Sequence, residues 1–245
     1  MSPSTDVRER REFASEIKFV VPSSLAEQLS DWARARLMAD PNAGGAAGDT
    51  YKITSLYFDT EAFDVFHRRG SFGRSKLRVR RYGQTELLFL ERKLRTRGLL
   101  AKRRSIVSIG ELGRLTGEVP DRKWPGYWFH RRLLARGLKP ICQIAYQRLA
   151  RVAMTSYGPI RLTIDCDLHG TPVDGLKFTG EKGSPLLDGS SILELKFRRE
   201  LPVLFKNLLQ EFALNPEPFS KYRQAVKILE LAPAAGQQKP TPVYA

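Results

Sequence analysis

Five short stretches carry polar or ionisable side chains two residues apart: Glu16-Ile-Lys18, Lys76-Leu-Arg78-Val-Arg80, Glu91-Arg-Lys93-Leu-Arg95, Tyr146-Gln-Arg148 and Glu194-Leu-Lys196. In a strand, residues two apart share a face. Each stretch therefore turns its cations to one side, with a glutamate beside them in Glu16, Glu91 and Glu194. A carboxylate beside a lysine suits a metal–phosphate site. The carboxylate offers a hard oxygen to Mg²⁺ or Mn²⁺, and the lysine neutralises phosphate oxygens. Because the pattern recurs along the whole chain, it reads as one face converging on one polyanion. The plainer reading of each stretch is a solvated sheet face with cross-strand Glu–Arg pairs. Ser220-Lys221-Tyr222 adds a hydroxyl and an ammonium at the start of an expected helix, where free N–H groups favour phosphate. The plainer reading there is a serine N-cap.

Other chemistries lack their residues. There is no phosphate-binding P-loop, because Gly44-Gly45 and Gly48 are not followed by Lys-Ser or Lys-Thr. No kinase signature and no Ser-His-Asp order is present. The three histidines are too scattered for a histidine metal site, and Cys142 and Cys166 lack metal-ligand spacing. The cysteines read as reduced core residues.

The elements that must position these groups are mostly strands. Alternation predicts strands over 12–21, 51–59, 75–82, 86–95, 101–109, 140–155, 159–166 and 192–198, with a short one near 177–179. Gly83-Gln84 and Tyr157-Gly-Pro159 read as turns. Helices are expected from Ser23 or Ser24 to about 38, and over 61–67, 110–117, 124–136, 202–212 and 220–231. On the three strands from 75 to 109, Arg78, Arg80, Glu91, Lys93, Lys102 and Arg104 share one side, while Leu77, Val79, Leu88 and Leu90 share the other. The apolar side can pack under helices. Burying so many like charges without anions would cost several kcal/mol per ion, so the basic side must be wet or filled by a polyanion. The expected fold is α+β: an eight-stranded antiparallel β-barrel with helices packed outside. One domain over 12–231 is expected, flanked by disordered ends at 1–11 and 232–245.

Bulk properties agree. The 245 residues include 41 Lys and Arg against 26 Asp and Glu, a net charge of +15. Such a balance attracts polyanions without saying which. No apolar run approaches the length of a membrane span. The arginines near the N-terminus lack the apolar segment of a secretory signal, so the expected compartment is the cytoplasm.

Read together, the stretches resemble the polyphosphate polymerase (VTC) domain, within the triphosphate tunnel metalloenzyme superfamily that includes the CYTH proteins. The matching pieces are Glu16-Ile-Lys18, Ser55-Leu-Tyr-Phe-Asp59, Arg78-Val-Arg80-Arg-Tyr-Gly83, Glu91-Arg-Lys93, Lys102-Arg-Arg104, Tyr146-Gln-Arg148, Arg161-Leu-Thr-Ile-Asp165, Ile192-Leu-Glu194-Leu-Lys196 and Phe219-Ser-Lys-Tyr222. Each is weak alone, but all stand in the family's order.

The resemblance implies a tunnel that binds triphosphate along its axis. It implies that Arg78, Arg80, Lys93, Arg148 and Lys196 act in catalysis, and that Lys18, Lys102, Tyr146, Ser220 and Lys221 bind substrate. Glu194 is the implied ligand of a divalent metal, Mn²⁺ or Mg²⁺. The implied reaction moves the γ-phosphate of ATP onto a growing inorganic polyphosphate chain. Ala14 stands at the first position of the wider superfamily's Glu-x-Glu-x-Lys start, which fits the polymerase branch better than the acid-rich hydrolases. Family members in eukaryotes carry membrane helices; none is expected here, which leaves room for a separate membrane partner. The alternatives are a triphosphate or nucleoside triphosphate hydrolase, a non-catalytic tunnel for polyphosphate or inositol phosphates, and a nucleic-acid binder. Nucleic acid is disfavoured because aromatic residues are not interleaved with the basic ones.

Overall fold

The computed structural model describes residues 6–7, 15–43, 48–96, 99–180 and 182–233. The expected disordered ends lie outside these, apart from 6–7 and 232–233. One antiparallel sheet organises the molecule. Eleven strands belong to it, and three of them are only two residues long. The eight long ones are β1 (Ser15–Pro22), β2 (Thr50–Asp59), β3 (Ser75–Tyr82), β4 (Leu87–Thr96), β5 (Leu99–Ser108), β6 (Lys139–Thr155), β7 (Gly158–Pro172) and β8 (Ser190–Phe197). Their order across the sheet is β5-β4-β3-β2-β6-β7-β8-β1.

Alternation sorts the side chains onto two faces, as the period of two requires. On the convex face, Leu56, Leu77, Val79, Leu88 and Leu90 are buried in one apolar cluster with Trp124, Trp128, Phe129 and Leu133. These last come from α3 (Tyr127–Ala135) and the turn before it. A second cluster packs α1 (Ser23–Arg36) and α4 (Val203–Glu211) on the other half of the sheet, through Leu29, Trp32, Phe205, Leu162, Leu193 and Leu195. The helices α2 (Asp64–His67) and α5 (Lys221–Ile228) complete the fold.

The sheet curls strongly. Lys93 on β4 reaches Glu16 on β1 at 3.0 Å, although six steps of the sheet separate those strands. The expected closed barrel is nevertheless not formed. Among the described residues β1 and β5 exchange no ladder; the outer edge of β5 pairs only with Asp6–Val7. Lys93 of β4 and Glu16 of β1 meet through their side chains, not through backbone hydrogen bonds.

Smaller differences have local causes. Ser23 does not cap α1, because its hydroxyl donates to the Gly189 carbonyl instead. The 110–117 helix is a 3-10 run, Ile109–Thr116, held by a capping box between Ser108 and Glu111. Helix α3 starts at Tyr127 because Pro125-Gly126 shape a turn before it. The β6–β7 turn is Ser156-Tyr157, with Gly158 at φ +104°. Strand β7 continues past 166 through a bulge opposite Tyr146, where Asp167 takes a positive φ of 52°. The short strand expected near 177–179 lies at Ser184–Pro185 instead.

Candidate functional site on the concave face

The concave face begins with one straight rung. Arg78 on β3, Glu91 on β4 and Arg104 on β5 are direct cross-strand partners. Arg78 donates to Glu91 Oε2 at 2.7 Å through Nε, and Arg104 donates to Oε1 at 2.6 Å through Nη2. Lys102 lies 3.4 Å from the same carboxylate and Arg80 lies 4.0 Å away. Burial alone would raise the pKa of Glu91, but Arg78, Arg80, Lys102 and Arg104 hold it well below the carboxylate range.

A second group forms where β1 meets β8. The Lys18 ammonium sits between Glu16 Oε1, at 3.0 Å, and Glu194 Oε2, at 3.1 Å. Lys196 holds the other oxygen of Glu194 at 2.6 Å. Burial again works against ionisation of Glu194, and Lys196 and Lys18, with help from Arg148 and Lys221, overcome it. Lys18 is itself pushed up: burial opposes its charge, but the two glutamates outweigh that.

The third group centres on Asp165 of β7. Arg148 forks onto it through Nε and Nη2, at 2.6 and 2.7 Å, and Lys221 adds a contact at 2.6 Å. Burial would raise the Asp165 pKa, and these two cations drive it far down. Arg80 joins the wall by donating to the Tyr146 hydroxyl at 3.1 Å and to Ser55 Oγ at 3.2 Å. The Tyr146 ring lies 4.9 Å from the Lys221 ammonium and 5.4 Å from the Arg148 guanidinium.

The eleven candidates drawn from the sequence therefore lie along one connected face. Lys18, Arg78, Arg80, Lys93, Lys102, Tyr146, Arg148, Glu194 and Lys196 come from six strands, and Ser220 and Lys221 from the start of α5. The candidate set omits Lys76, Arg104, Glu91, Glu16 and Asp165. Period-two spacing placed the first four on the basic side of their strands, but nothing in one dimension says that carboxylates sit at the centre of each cation group. Lys76 differs from its neighbours. Its ammonium donates to Ser220 Oγ at 2.8 Å, and among the described residues no carboxylate lies within ion-pair distance of it. Burial, with Lys18 and Lys93 nearby, lowers its pKa to about 8. Ser220 also accepts the Arg223 N–H, so the serine caps α5 as the plainer reading expects and meets a cation as well.

Whether a divalent metal fits can be judged from Glu194 and Glu16. Their carboxylates already converge on one cation, the Lys18 ammonium. The donors are hard oxygens, which suit Mg²⁺ or Mn²⁺. Among the described residues no three His, Cys, Asp or Glu side chains gather to form a full protein cage. Two carboxylates with phosphate oxygens and water in the other positions is the ordinary arrangement for Mg²⁺.

The VTC domain model matches residues 13–230. The chain belongs to the VTC domain family. No curated protein matches the sequence. Among solved structures, a candidate adenylate cyclase from Bacillus halodurans aligns at 15% identity and a TM-score of 0.51, over 84% of this chain and 92% of its own. The Hippeastrum protein HpAC1, described as an adenylyl cyclase candidate with a dominant triphosphatase activity, aligns at 18% identity and a TM-score of 0.46, over 86% and 94%. At these identities the first likeness shows the fold. No helix among the described residues is long and apolar enough to cross a membrane.

Proposed function

We propose that this VTC domain is an ATP-dependent polyphosphate polymerase and that the curled sheet works as a tunnel around the chain. The reading rests on the family, and the observation that carries it is the convergence of cations from six strands and α5 on one concave face. Phosphoryl transfer needs alignment and charge neutralisation more than covalent help. Arg78, Arg80, Lys93, Lys102 and Arg148 stand where they can grip a row of phosphates, while Lys18, Lys196 and Lys221 neutralise its oxygens. Tyr146 and Ser220 supply neutral donors.

In this reading an oxygen of the chain's terminal phosphate attacks the γ-phosphorus of ATP. The bond from that phosphorus to the β–γ bridging oxygen breaks, and ADP leaves with the electron pair. The arginines hold nucleophile and γ-phosphate in line. A divalent metal held by Glu194, with Glu16 beside it, would supply further neutralisation of phosphate oxygens.

One feature favours transfer over hydrolysis. Glu91, Glu194 and Asp165 are all held low by their cations, which makes them weak general bases for activating water. A phosphate chain end is already anionic and needs no base. The test is incubation with [γ-³²P]ATP and Mn²⁺, with products resolved on a polyacrylamide gel. A ladder of exopolyphosphatase-sensitive chains with matching ADP is expected. Orthophosphate alone would establish a hydrolase, and unchanged ATP with tight polyphosphate binding a non-catalytic binder.

A further inference from the structure

Two stretches of the sequence, Ser55-Leu-Tyr-Phe-Asp59 and Phe219-Ser-Lys-Tyr222, end in residues that the cleft chemistry does not use. The fold brings those two ends together. Asp59 closes β2 and is fully buried. The Tyr222 hydroxyl donates to its Oδ2 at 2.5 Å, across 163 residues of chain. The other donors to this carboxylate are backbone groups. The Thr60 and Val65 N–H groups reach Oδ1 at 2.7 and 2.8 Å, and the Phe66 N–H reaches Oδ2 at 2.9 Å.

Asp59 differs in kind from Glu91, Glu194 and Asp165. Each of those acids holds at least two cations. Among the described residues no cation lies within ion-pair distance of Asp59. Burial raises its pKa, and Tyr222 with the three N–H groups opposes that rise. A buried carboxylate without a cation is costly, and these hydrogen bonds offset the cost by tying their donors to one point.

The donors come from two elements. Val65 and Phe66 belong to α2, a single turn bounded by Phe63 and Arg68 at φ of +57° and +60°. Residues other than glycine hold such angles only where their surroundings impose them. Tyr222 belongs to α5. Its ring stacks on Tyr57 at 5.6 Å, and the neighbouring Arg223 lies 5.6 Å from the Phe66 ring centre. Helix α5 is thus latched to the end of β2 and to α2. The two residues just before Tyr222 are the ones that α5 turns to the cleft. Lys221 meets Asp165 at 2.6 Å, and Ser220 Oγ accepts from Lys76 at 2.8 Å. Successive residues of a helix point about 100° apart, so fixing Tyr222 in the core fixes where the Lys221 ammonium stands.

We infer that Asp59 and Tyr222 are positioning residues of the cleft: their hydrogen bond sets the start of α5 so that Lys221 and Ser220 meet the phosphate chain. This rests on the polyphosphate reading of the cleft. The pair touches no phosphate itself and acts through Lys221 and Ser220. Loss of the one hydroxyl lets the start of the helix shift away from the cations of the sheet.

The test is calorimetric titration of the full chain with inorganic tripolyphosphate. Tyr222→Phe keeps the ring and removes only the hydroxyl. It should weaken binding about tenfold, the scale of one hydrogen bond to a charged acceptor. Lys221→Met should weaken binding by a similar factor. Adding Tyr222→Phe to Lys221→Met should then lose less than about twofold more, because the two act as one unit. An equal loss in both backgrounds would mark a merely structural role and overturn the inference. A second measurement needs no variant. Tripolyphosphate should slow hydrogen exchange at the Val65 and Phe66 amides, which donate to Asp59 and belong to the apolar cluster rather than to the cleft. Unchanged exchange there, or Tyr222→Phe binding as tightly as wild type, would overturn the inference while sparing the cleft reading. Absence of tripolyphosphate binding to wild type would overturn both.

Discussion

Strands β3 to β5 present arginines on both faces, yet the two faces treat them differently. On the concave side Arg78, Arg80, Arg104 and Lys102 gather around Glu91, which is 2% exposed. On the convex side Arg92 and Arg103 oppose each other, with Arg132 and Arg136 added above. The difference follows from access to water. Inside a curled sheet, a cation cluster needs a fixed carboxylate before any ligand arrives, because an unpaired buried charge is too costly. At a half-open surface water can solvate the cations, and among the described residues no carboxylate lies within ion-pair distance of Arg92, Arg132 or Arg136. The inner cations are thus held in place by a built-in carboxylate, while Arg92 keeps its charge close to Arg132, Arg103 and Arg136.

Removing Glu91 should erase that distinction and have the largest effect. Glu91→Gln leaves three arginines facing each other in the buried rung and should cost about 3–5 kcal/mol of stability. Urea unfolding measures this, and added polyphosphate should restore much of the loss; a variant as stable as wild type would show that water reaches the rung. Next comes the grip itself. Arg148→Ala should lower turnover of ATP into polymer by about 10²-fold or more, while the fold survives because Lys221 still meets Asp165. Unchanged turnover would remove Arg148 from the transferring group.

The third effect depends on pH. Lys76 has a pKa of about 8 in the folded chain against 10.5 as an ordinary lysine. Between those values the unfolded chain binds more protons, so stability should rise with pH from about 8 to about 10.5. Phosphate beside Lys76 favours its charged form, so polyphosphate binding should take up a proton over the same interval. Calorimetry in buffers of different ionisation enthalpy reads that uptake, and Lys76→Met should abolish it. The smallest effect belongs to the outer face. Arg92→Gln alone should raise stability by a few tenths of a kcal/mol, in line with relief of a like-charge pair; a loss would mean that its stem packs more than its charge repels.

Much of the concave face was legible in sequence because a strand turns alternate residues to one side, and Lys76 to Arg80 or Glu194 to Lys196 show that period directly. The convex packing of Leu77, Val79, Leu88 and Leu90 was legible for the same reason. What alternation does not encode is which strands become neighbours. Asp165 looks like one more acid in an apolar strand until β6 lays Arg148 opposite it. The bulge at Tyr146 lets β7 run on through Asp167-Leu-His-Gly170, past the strand end expected at 166. The outer arginine group was hidden because half of it arrives from α3. Closure of the barrel failed as an expectation because it depends on two sheet edges, and a strand's own residues do not state whether its outer edge finds a partner.

The pairing of β1 with β8 has one more consequence, in the order of events at synthesis. Glu16 faces Lys196, and Lys18 faces Glu194, across about 180 residues of intervening chain. Contacts that distant form late and slow folding. A nascent chain stopped anywhere before β8 has Lys18 and Glu16 but no Glu194 to meet them, and before α5 it has no Lys221 for Asp165. The middle strands can assemble first as a basic meander with Glu91 already in place. The part that brings Glu194 beside Glu16 waits until β8 has been synthesised, so the basic meander exists before the carboxylate pair that completes its far edge.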